Sequence, residues 1–344
     1  MKFTFFLLLL LPLLVDGQIQ PSLYSCRFTQ DSINIDGRLD DSCWNGAEWS
    51  NEFIDIEGVS KPKPYYKTRM KMLWDSSYLY VFVKMKDRHI WATLTNHDDI
   101  IYRDNDIEIF IDPDGDCHNY MEIEVNAHNT VLDLMMAKPY KNGGPLIMDW
   151  NPSGLKTAVY INGIINSSVK DDGYWTVEMA IPMKTLCIDR PKERPSPGDH
   201  WRVNFSRVQY DVDIDSTGYS KKLGASGRSL PEHNWVWSAQ GQINMHLPEK
   251  WGYLHFNNEE GSIPAKFPID VELRNILFKE YDRQKSKLVI EGRYRSQAEK
   301  TVTIDHRKYK LRTKATDYQF EITAVGKKRT WHLTDDRKIW ITNN

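Results

Sequence analysis

Apolar and polar residues alternate with a period of two through most of the first three quarters of the chain. Met70, Met72 and Trp74 alternate with Arg69 and Lys71; Leu79, Val81, Val83 and Met85 repeat the pattern; and Ile107, Ile109 and Ile111 alternate with Asp106, Glu108 and Phe110. This spacing sends successive side chains to opposite faces, as in half-buried strands. Further strands are predicted over residues 120–126, 130–136, 155–162, 174–181, 200–208 and 251–256, separated by clusters of Gly, Pro, Asn and Asp. Many short strands without long helical runs between them predict a mainly β protein, an antiparallel β-sandwich. The period then changes. Ile269, Leu273, Ile276, Leu277, Tyr281 and Leu288 recur at three and four, which predicts one amphipathic helix, and short alternating runs follow over 318–325 and 329–333. A polar Asn, Glu, Gly and Pro segment from Asn257 to Pro264 joins the two parts, so the expected units are a sandwich over 18–257 and a small α+β unit over 258–344.

The N-terminus carries Lys2, an apolar run over 5–15 and a small residue, Gly17. That is the pattern of a signal peptide over 1–17, cleaved near Gly17, and its apolar run is too short to cross a bilayer. The expected location is secreted or periplasmic. No cysteine follows closely enough to carry a lipid anchor, since Cys26 lies beyond the expected cleavage point.

Charge separates the same two parts. Residues 261–344 hold 19 Lys plus Arg against 11 Asp plus Glu, leaving 26 against 36 in the rest of the chain. An acidic sandwich is a poor partner for nucleic acid, whose binding rests on phosphate neutralisation. The basic residues of the tail are interleaved with Tyr, Ile and Val, the pattern of a solvated surface. Four cysteines, Cys26, Cys43, Cys117 and Cys187, form no CxxC or CxxCH motif. In an oxidising compartment they are either buried thiols or contain one structural disulfide, for which Cys26 with Cys43 is the leading pair.

Polar residues share strand faces: Asp106 with Glu108, Glu122 with Glu124 and Asn126, Thr176 with Glu178, and Arg202 with Asn204 and Ser206. Acids, amides and a guanidinium gathered beside an aromatic ring suit sugar hydroxyls and the apolar face of a sugar ring. The simpler alternative is the solvated face of an antiparallel sheet.

Ordered motifs extend this reading. Ile35-Asp36-Gly37 with Asp40 and Trp44, Leu73-Trp74-Asp75 with Tyr78-Leu79-Tyr80, residues 104–112, residues 120–126, Gly173-Tyr174-Trp175 with the strand to Pro182, Trp201-Arg202-Val203-Asn204-Phe205 and Trp251-Gly252-Tyr253-Leu254 follow one another along the chain. Together they resemble the family 9 carbohydrate-binding modules and their DOMON-like relatives, over residues 33–256. Asn204 to Val208, Trp235-Val236-Trp237-Ser238 and residues 245–252 are similar to a branch common in polysaccharide-degrading Bacteroidetes. The resemblance implies a β-sandwich that binds carbohydrate without cutting it, in support of polysaccharide catabolism and in a surface or periplasmic assembly.

The same resemblance implies a pocket in which two Trp rings sandwich a terminal sugar. Here those positions fall at Tyr102 and Met245, the strand glutamate that accepts sugar hydroxyls matches Glu108, and an Arg of the next strand is replaced by Glu124. Arg202 and Asn204 complete the expected polar set, and Trp235 with Trp237, or Trp91 with Trp150, are the expected substitutes for the missing wall. Relatives carry structural calcium. Asp112, Asp114 and Asp116 are the expected ligands, with Asp211, Asp213 and Asp215 as a second cluster. The rival readings are a glycoside hydrolase using a pair among Asp106, Glu108, Glu122, Glu124 and Glu178, and a haem-binding DOMON-like redox domain using Met245, His246 or His128.

Overall fold

In a computed structural model, the structure describes residues 19–168, 172–188, 190, 192–215 and 218–344. The expected signal peptide lies outside the described residues. In chain order the strands are β1 Leu23–Phe28, β2 Ile54–Asp55, β3 Thr68–Trp74, β4 Tyr78–Lys86, β5 Asp106–Asp112, β6 Tyr120–Asn126, β7 Val131–Met136, β8 Leu146–Ile147, β9 Lys156–Asn162, β10 Tyr174–Pro182, β11 His200–Gln209, β12 Val212–Asp215, β13 Gly218–Lys221, β14 His233–Val236, β15 Gly252–Asn257, β16 Gln297–Ile304, β17 Arg307–Ala315, β18 Phe320–Val325, β19 Arg329–Thr334 and β20 Ile339–Asn343. The helices are α1 Met183–Leu186 and α2 Val271–Glu291. No helix among the described residues is long and apolar enough to cross a membrane.

The first fifteen strands, apart from the β12–β13 hairpin, form one curled sheet in the order β8-β7-β6-β5-β11-β15-β1-β3-β4-β10-β9, with β14 and β2 added beside β11. Antiparallel pairing prevails, as predicted, except at β1, which runs parallel to both β15 and β3. The sheet folds over on itself. Met70, Met72, Val81, Val83, Val177 and Met179 from one limb meet Ile107, Ile109, Ile111, Ile123, Val203 and Phe205 from the other in a single core. Each of these side chains, fully withdrawn from water, contributes roughly 1.5–3 kcal/mol. Trp235 and Trp237 belong to the same core, 2% and 5% exposed.

Two polar anchors fix the curl. Glu178 of β10 is fully buried and accepts three hydrogen bonds at 3.0 Å, from the backbone N–H groups of Asp36 and Gly37 and from Trp44 Nε1. Gly37 is required there, because its φ is +80° and a Cβ would sit 2.7 Å from the Tyr160 nitrogen. The Ile35-Asp36-Gly37, Trp44 and Glu178 motifs, far apart in sequence, are therefore one hydrogen-bonded unit. Across the sandwich, buried Arg207 of β11 pairs with Asp87 at 3.0 Å and also donates to Gln209, Thr68 and the Lys86 carbonyl.

The four cysteines are free thiols. Cys26 points from β1 into the main core, whereas Cys43 packs with Trp44 and Trp49 in a separate cluster, so the sheet lies between them and the expected Cys26 to Cys43 disulfide does not form.

Beyond β15, α2 lies on an antiparallel sheet ordered β16-β17-β18-β19-β20. Leu273, Leu277, Tyr281, Ile322, Leu333 and Ile339 form its core. The helix ends at Gly292, whose φ of +70° supplies the left-handed cap. The unit meets the loop after β5, where Arg274 donates to the Gly115 carbonyl at 2.8 Å and the Ile339 N–H donates to the Asp116 carbonyl at 3.0 Å, and the turn before β15, where Arg337 pairs with Glu249.

Removing either anchor should loosen the curl by different amounts. In Glu178→Gln an amide nitrogen must face at least one of three buried donors, a loss of about 1–3 kcal/mol. In Asp87→Ala the buried Arg207 charge is left uncompensated, at a cost of about 3–5 kcal/mol. Denaturant unfolding of both variants checks the order; an Asp87→Ala protein as stable as the parent would contradict the anchoring role of the pair.

Candidate functional site

The face of β5, β6, β7 and β11 that points away from the core lines a pocket of about 440 Å³. Its position follows from strand periodicity. With isoleucines at 107, 109 and 111 committed to the core, Glu108 and Phe110 must face the other way, and Glu124 and Glu122 stand opposite them on β6. Leu132 and Leu134 of β7 continue the floor, and Met245 and His246 close one end. Two tyrosines stand at the mouth: Tyr102, 43% exposed, on the turn before β5, and Tyr140, 49% exposed, on the turn after β7.

The floor is acidic and dry. Glu108, Glu122 and Glu124 line it, Asp106 lies against Glu108 and Glu124 outside the lining, and all four are at most 6% exposed. Burial, reinforced by the mutual repulsion of the acids, holds Asp106, Glu108 and Glu122 well above the ordinary carboxylate range. Burial pushes the Glu124 pKa up to about 7, against the neighbouring Glu122 carboxyl and the Tyr102 N–H, which donates to Glu124 at 2.9 Å; both favour its ionised form. Glu124 thus also positions the Tyr102 turn. His246 supplies no positive charge, since burial lowers its pKa to about 4; its Nδ1 is 2.9 Å from the Tyr120 hydroxyl.

Of the residues expected from the sequence, Tyr102, Glu108, Glu124 and Met245 line this pocket. Arg202 and Asn204 share the predicted face of β11 but lie where it is covered. Arg202 donates from Nε to the Pro248 carbonyl and stacks on Tyr253, while Asn204 bonds both the N–H and the carbonyl of Ser238. They hold the covering segment and do not face the pocket. Trp235 and Trp237 are core residues and provide no wall; Trp150 is also in the core, and Trp91 stacks on Tyr219 with ring centroids 4.7 Å apart. The aromatic partner that sequence reasoning missed is Tyr140. Its one signal was an aromatic residue set in the turn-forming run Pro139-Tyr140-Lys141-Asn142-Gly143.

Asp112, Asp114 and Asp116 do converge, with carboxylate oxygens within 4.8 Å of one another. Protein donors already engage them: Asp112 accepts from the Gly115 and Cys117 N–H groups, Asp114 pairs with Arg190 at 3.2 Å, and Asp116 accepts from the His118 N–H. These bonds shape the loop and Arg190 offsets part of its charge, while each carboxylate keeps acceptor capacity beyond them. Asp211, Asp213 and Asp215 do not form such a group; Asp211 instead accepts from the Tyr65 hydroxyl.

Raised carboxylate pKa values fix the sign of the pH dependence. Between about 4.5, the ordinary Glu value, and about 7, where Glu124 and Glu178 titrate, the folded protein holds protons that the unfolded chain has released. Stability therefore falls as pH rises through that window. His246 and His255 oppose this, because burial lowers both and below the ordinary value of 6.5 the unfolded chain takes up their protons first, but the raised acids outnumber them, with Asp106, Glu108, Glu122, Glu124 and Glu178 among them. The expected result in chelated buffer is a higher Tm at pH 5 than at pH 7, measured by calorimetry; the opposite slope would contradict the protonated floor.

Comparison with known proteins agrees with the mainly β fold. The chain is 28% identical over 152 residues to Endo-1,4-beta-xylanase A of Thermoanaerobacterium saccharolyticum, covering 44% of this chain and 11% of that enzyme. It is 24% identical over 217 residues to Exoglucanase XynX of Acetivibrio thermocellus, covering 63% of this chain and 16% of the relative. The chain thus spans only a small part of the length of these two curated relatives. A Bacteroides uniformis protein described as a candidate carbohydrate-binding protein superposes with a TM-score of 0.51 at 16% identity, over 69% of this chain and all of the other. A family 9 module from Caldicellulosiruptor kristjanssonii, solved with cellotriose, gives 0.44 at 18% identity over 72% of this chain and all of the module. The pattern of the carbohydrate family 9 binding domain-like proteins matches residues 35–226, more than half of the chain, and the protein belongs to that family.

Proposed function

We propose that the protein is a secreted or periplasmic carbohydrate-binding protein without catalytic activity, which holds a glycan end in the pocket between Tyr102 and Tyr140 in support of polysaccharide breakdown. One observation carries the reading: two half-exposed tyrosines flank the mouth of a concave site whose floor is lined with carboxylates. The rings offer flat apolar faces for sugar C–H groups, and the carboxylates offer acceptors for hydroxyls. The volume lies within the roughly 300–1,000 Å³ range of small-ligand sites. Family membership supports the class of ligand, and the xylanase and exoglucanase names of the relatives support polysaccharide as its source. The apolar N-terminal segment supports export.

A glycan array followed by calorimetry on the mature protein tests this. Tyr102→Ala and Tyr140→Ala should each remove a stacking face worth about 0.5–1.5 kcal/mol beyond area burial. Glu108→Ala should cost about 1–3 kcal/mol, one to two orders of magnitude in affinity. Unchanged affinity in a well-folded Tyr102→Ala, Glu108→Ala double variant would place the sugar elsewhere. No reducing sugar should be released from xylan or glucan; release that is lost in Glu108→Gln would favour a hydrolase.

A further inference from the structure

Buried acids require a counterpart, and the pocket floor does not supply one. Asp106 is fully buried, yet among the described residues neither of its carboxylate oxygens has a partner at hydrogen-bonding geometry, the Val208 N–H offering electrostatic relief only. Glu108 is in the same condition at Oε2, and the nearby Ser206 hydroxyl donates to Asn234 Oδ1 at 3.3 Å. Burying an unpaired polar group costs several kcal/mol and an unpaired charge more. Protonation lowers the charge of the group but leaves both Asp106 oxygens and Glu108 Oε2 without a hydrogen-bond partner among the described residues. The nearest cation, Lys221, feels the charge of Asp106 but gives its hydrogen bond to the Arg103 carbonyl at 2.6 Å with its ammonium over the Tyr210 ring, so it makes no hydrogen bond to the acids, and His246 is neutral.

The geometry of the unsatisfied groups is specific. One carboxylate oxygen from each of Asp106, Glu108 and Glu124 lies within 4.8 Å of the other two. Hard divalent ions of the calcium class take oxygens at about 2.3–2.6 Å, so oxygens on opposite sides of such an ion stand up to ~5 Å apart. The three carboxylates come from neighbouring strands, β5 and β6, and are therefore held by the sheet rather than by a mobile loop. No thiolate or imidazole belongs to the group, which disfavours zinc and copper.

We propose that Asp106, Glu108 and Glu124 bind one divalent cation of the calcium class at the floor of the pocket. Three protein carboxylates leave part of a six- to eight-oxygen shell open toward the pocket. If a sugar enters here, which rests on the function proposed above, vicinal hydroxyls complete that shell, and Tyr102 and Tyr140 flank the ring.

The test starts without sugar. Mature protein stripped with a chelator is titrated calorimetrically with calcium chloride, and separately with magnesium and zinc chlorides, at pH 7. The expected result is one calcium site with Kd between roughly 10⁻⁷ and 10⁻³ M. Asp106→Asn and Glu124→Gln should each weaken it at least about tenfold, whereas Asp114→Asn, in the other acidic loop, should leave it unchanged; thermal melts establish that all three fold. Absence of calcium binding, or binding lost in Asp114→Asn and kept in the pocket variants, would overturn the site. Binding of glucosamine in place of calcium would likewise overturn it and assign the floor to an amine. Glycan binding is then measured with calcium and with chelator. Calcium binding without any glycan binding leaves the cation site standing and removes the sugar reading, so the two failures are distinct.

Discussion

Strands β5 and β6 are buried on both faces, and the character of the site depends on that constraint. An antiparallel sheet ordinarily buries one face and wets the other, so acids alternating with isoleucines would be solvated and unremarked. Here the second face is roofed. The turns at Tyr102 and Tyr140 and the segment carrying Met245 and His246 close over it, and Phe110, Tyr120 and Trp251 fill its far end. The same alternation that builds the core therefore drives four carboxylates into a space with little water. Their raised pKa values and unpartnered oxygens both follow from that roof.

The roof is in turn held by residues that sequence alone would assign to a ligand. Arg202 and Asn204 bond the backbone of Pro248 and Ser238, on either side of Met245 and His246. Trp251 donates its indole N–H to the Met245 carbonyl at 2.8 Å, and Gly252 lets Trp237 approach so closely that a Cβ would lie 2.4 Å from its ring. The C-terminal unit bears on the same region, through Arg337 to Glu249 and through Tyr281, whose hydroxyl accepts from Asn142 two residues beyond Tyr140. The tail thus touches both sides of the pocket wall, a connection that gives the basic unit a structural bearing on the site.

The sandwich was legible because period two is a strong signal where one face is apolar: residues 120–126 were located to the residue, and β7, β9, β10, β11 and β15 to within one. In the tail, α2 and the strands at β18 and β19 were legible for the same reason. β16 was not, because most of Gln297–Ile304 is exposed and carries little apolar alternation to detect. The site was legible in part. Glu108 and Glu124 follow from the face they occupy, and Tyr102 from the resemblance. What sequence could not supply was which stretch of that face is covered. Arg202, Asn204 and Glu108 share one face across β11 and β5, yet coverage by residues 245–251 separates structural bonds from pocket lining. The tryptophans misled for a related reason: size makes Trp a good sugar platform and an equally good core residue, and at 235 and 237 the strand turns it inward.

The substitution implied at position 124 is the point at which this chain departs from the sugar-binding pattern it resembles. An arginine opposite Glu108 would give a cross-strand pair of opposite charge. Glutamate places like charge directly opposite Glu108 in the β5–β6 register, an arrangement that weakens a sheet. It also binds the Tyr102 N–H, so the residue shapes the pocket mouth as well as its charge. A guanidinium there would donate to sugar hydroxyls; a carboxylate can only accept, or donate a proton it has borrowed. The floor therefore presents carboxyl groups that accept when ionised and donate when protonated, with no guanidinium among its lining residues. Such a floor is complementary to donors and to positive charge, and a neutral sugar meets it on equal terms only when protons or a cation stand between the carboxylates and its hydroxyls.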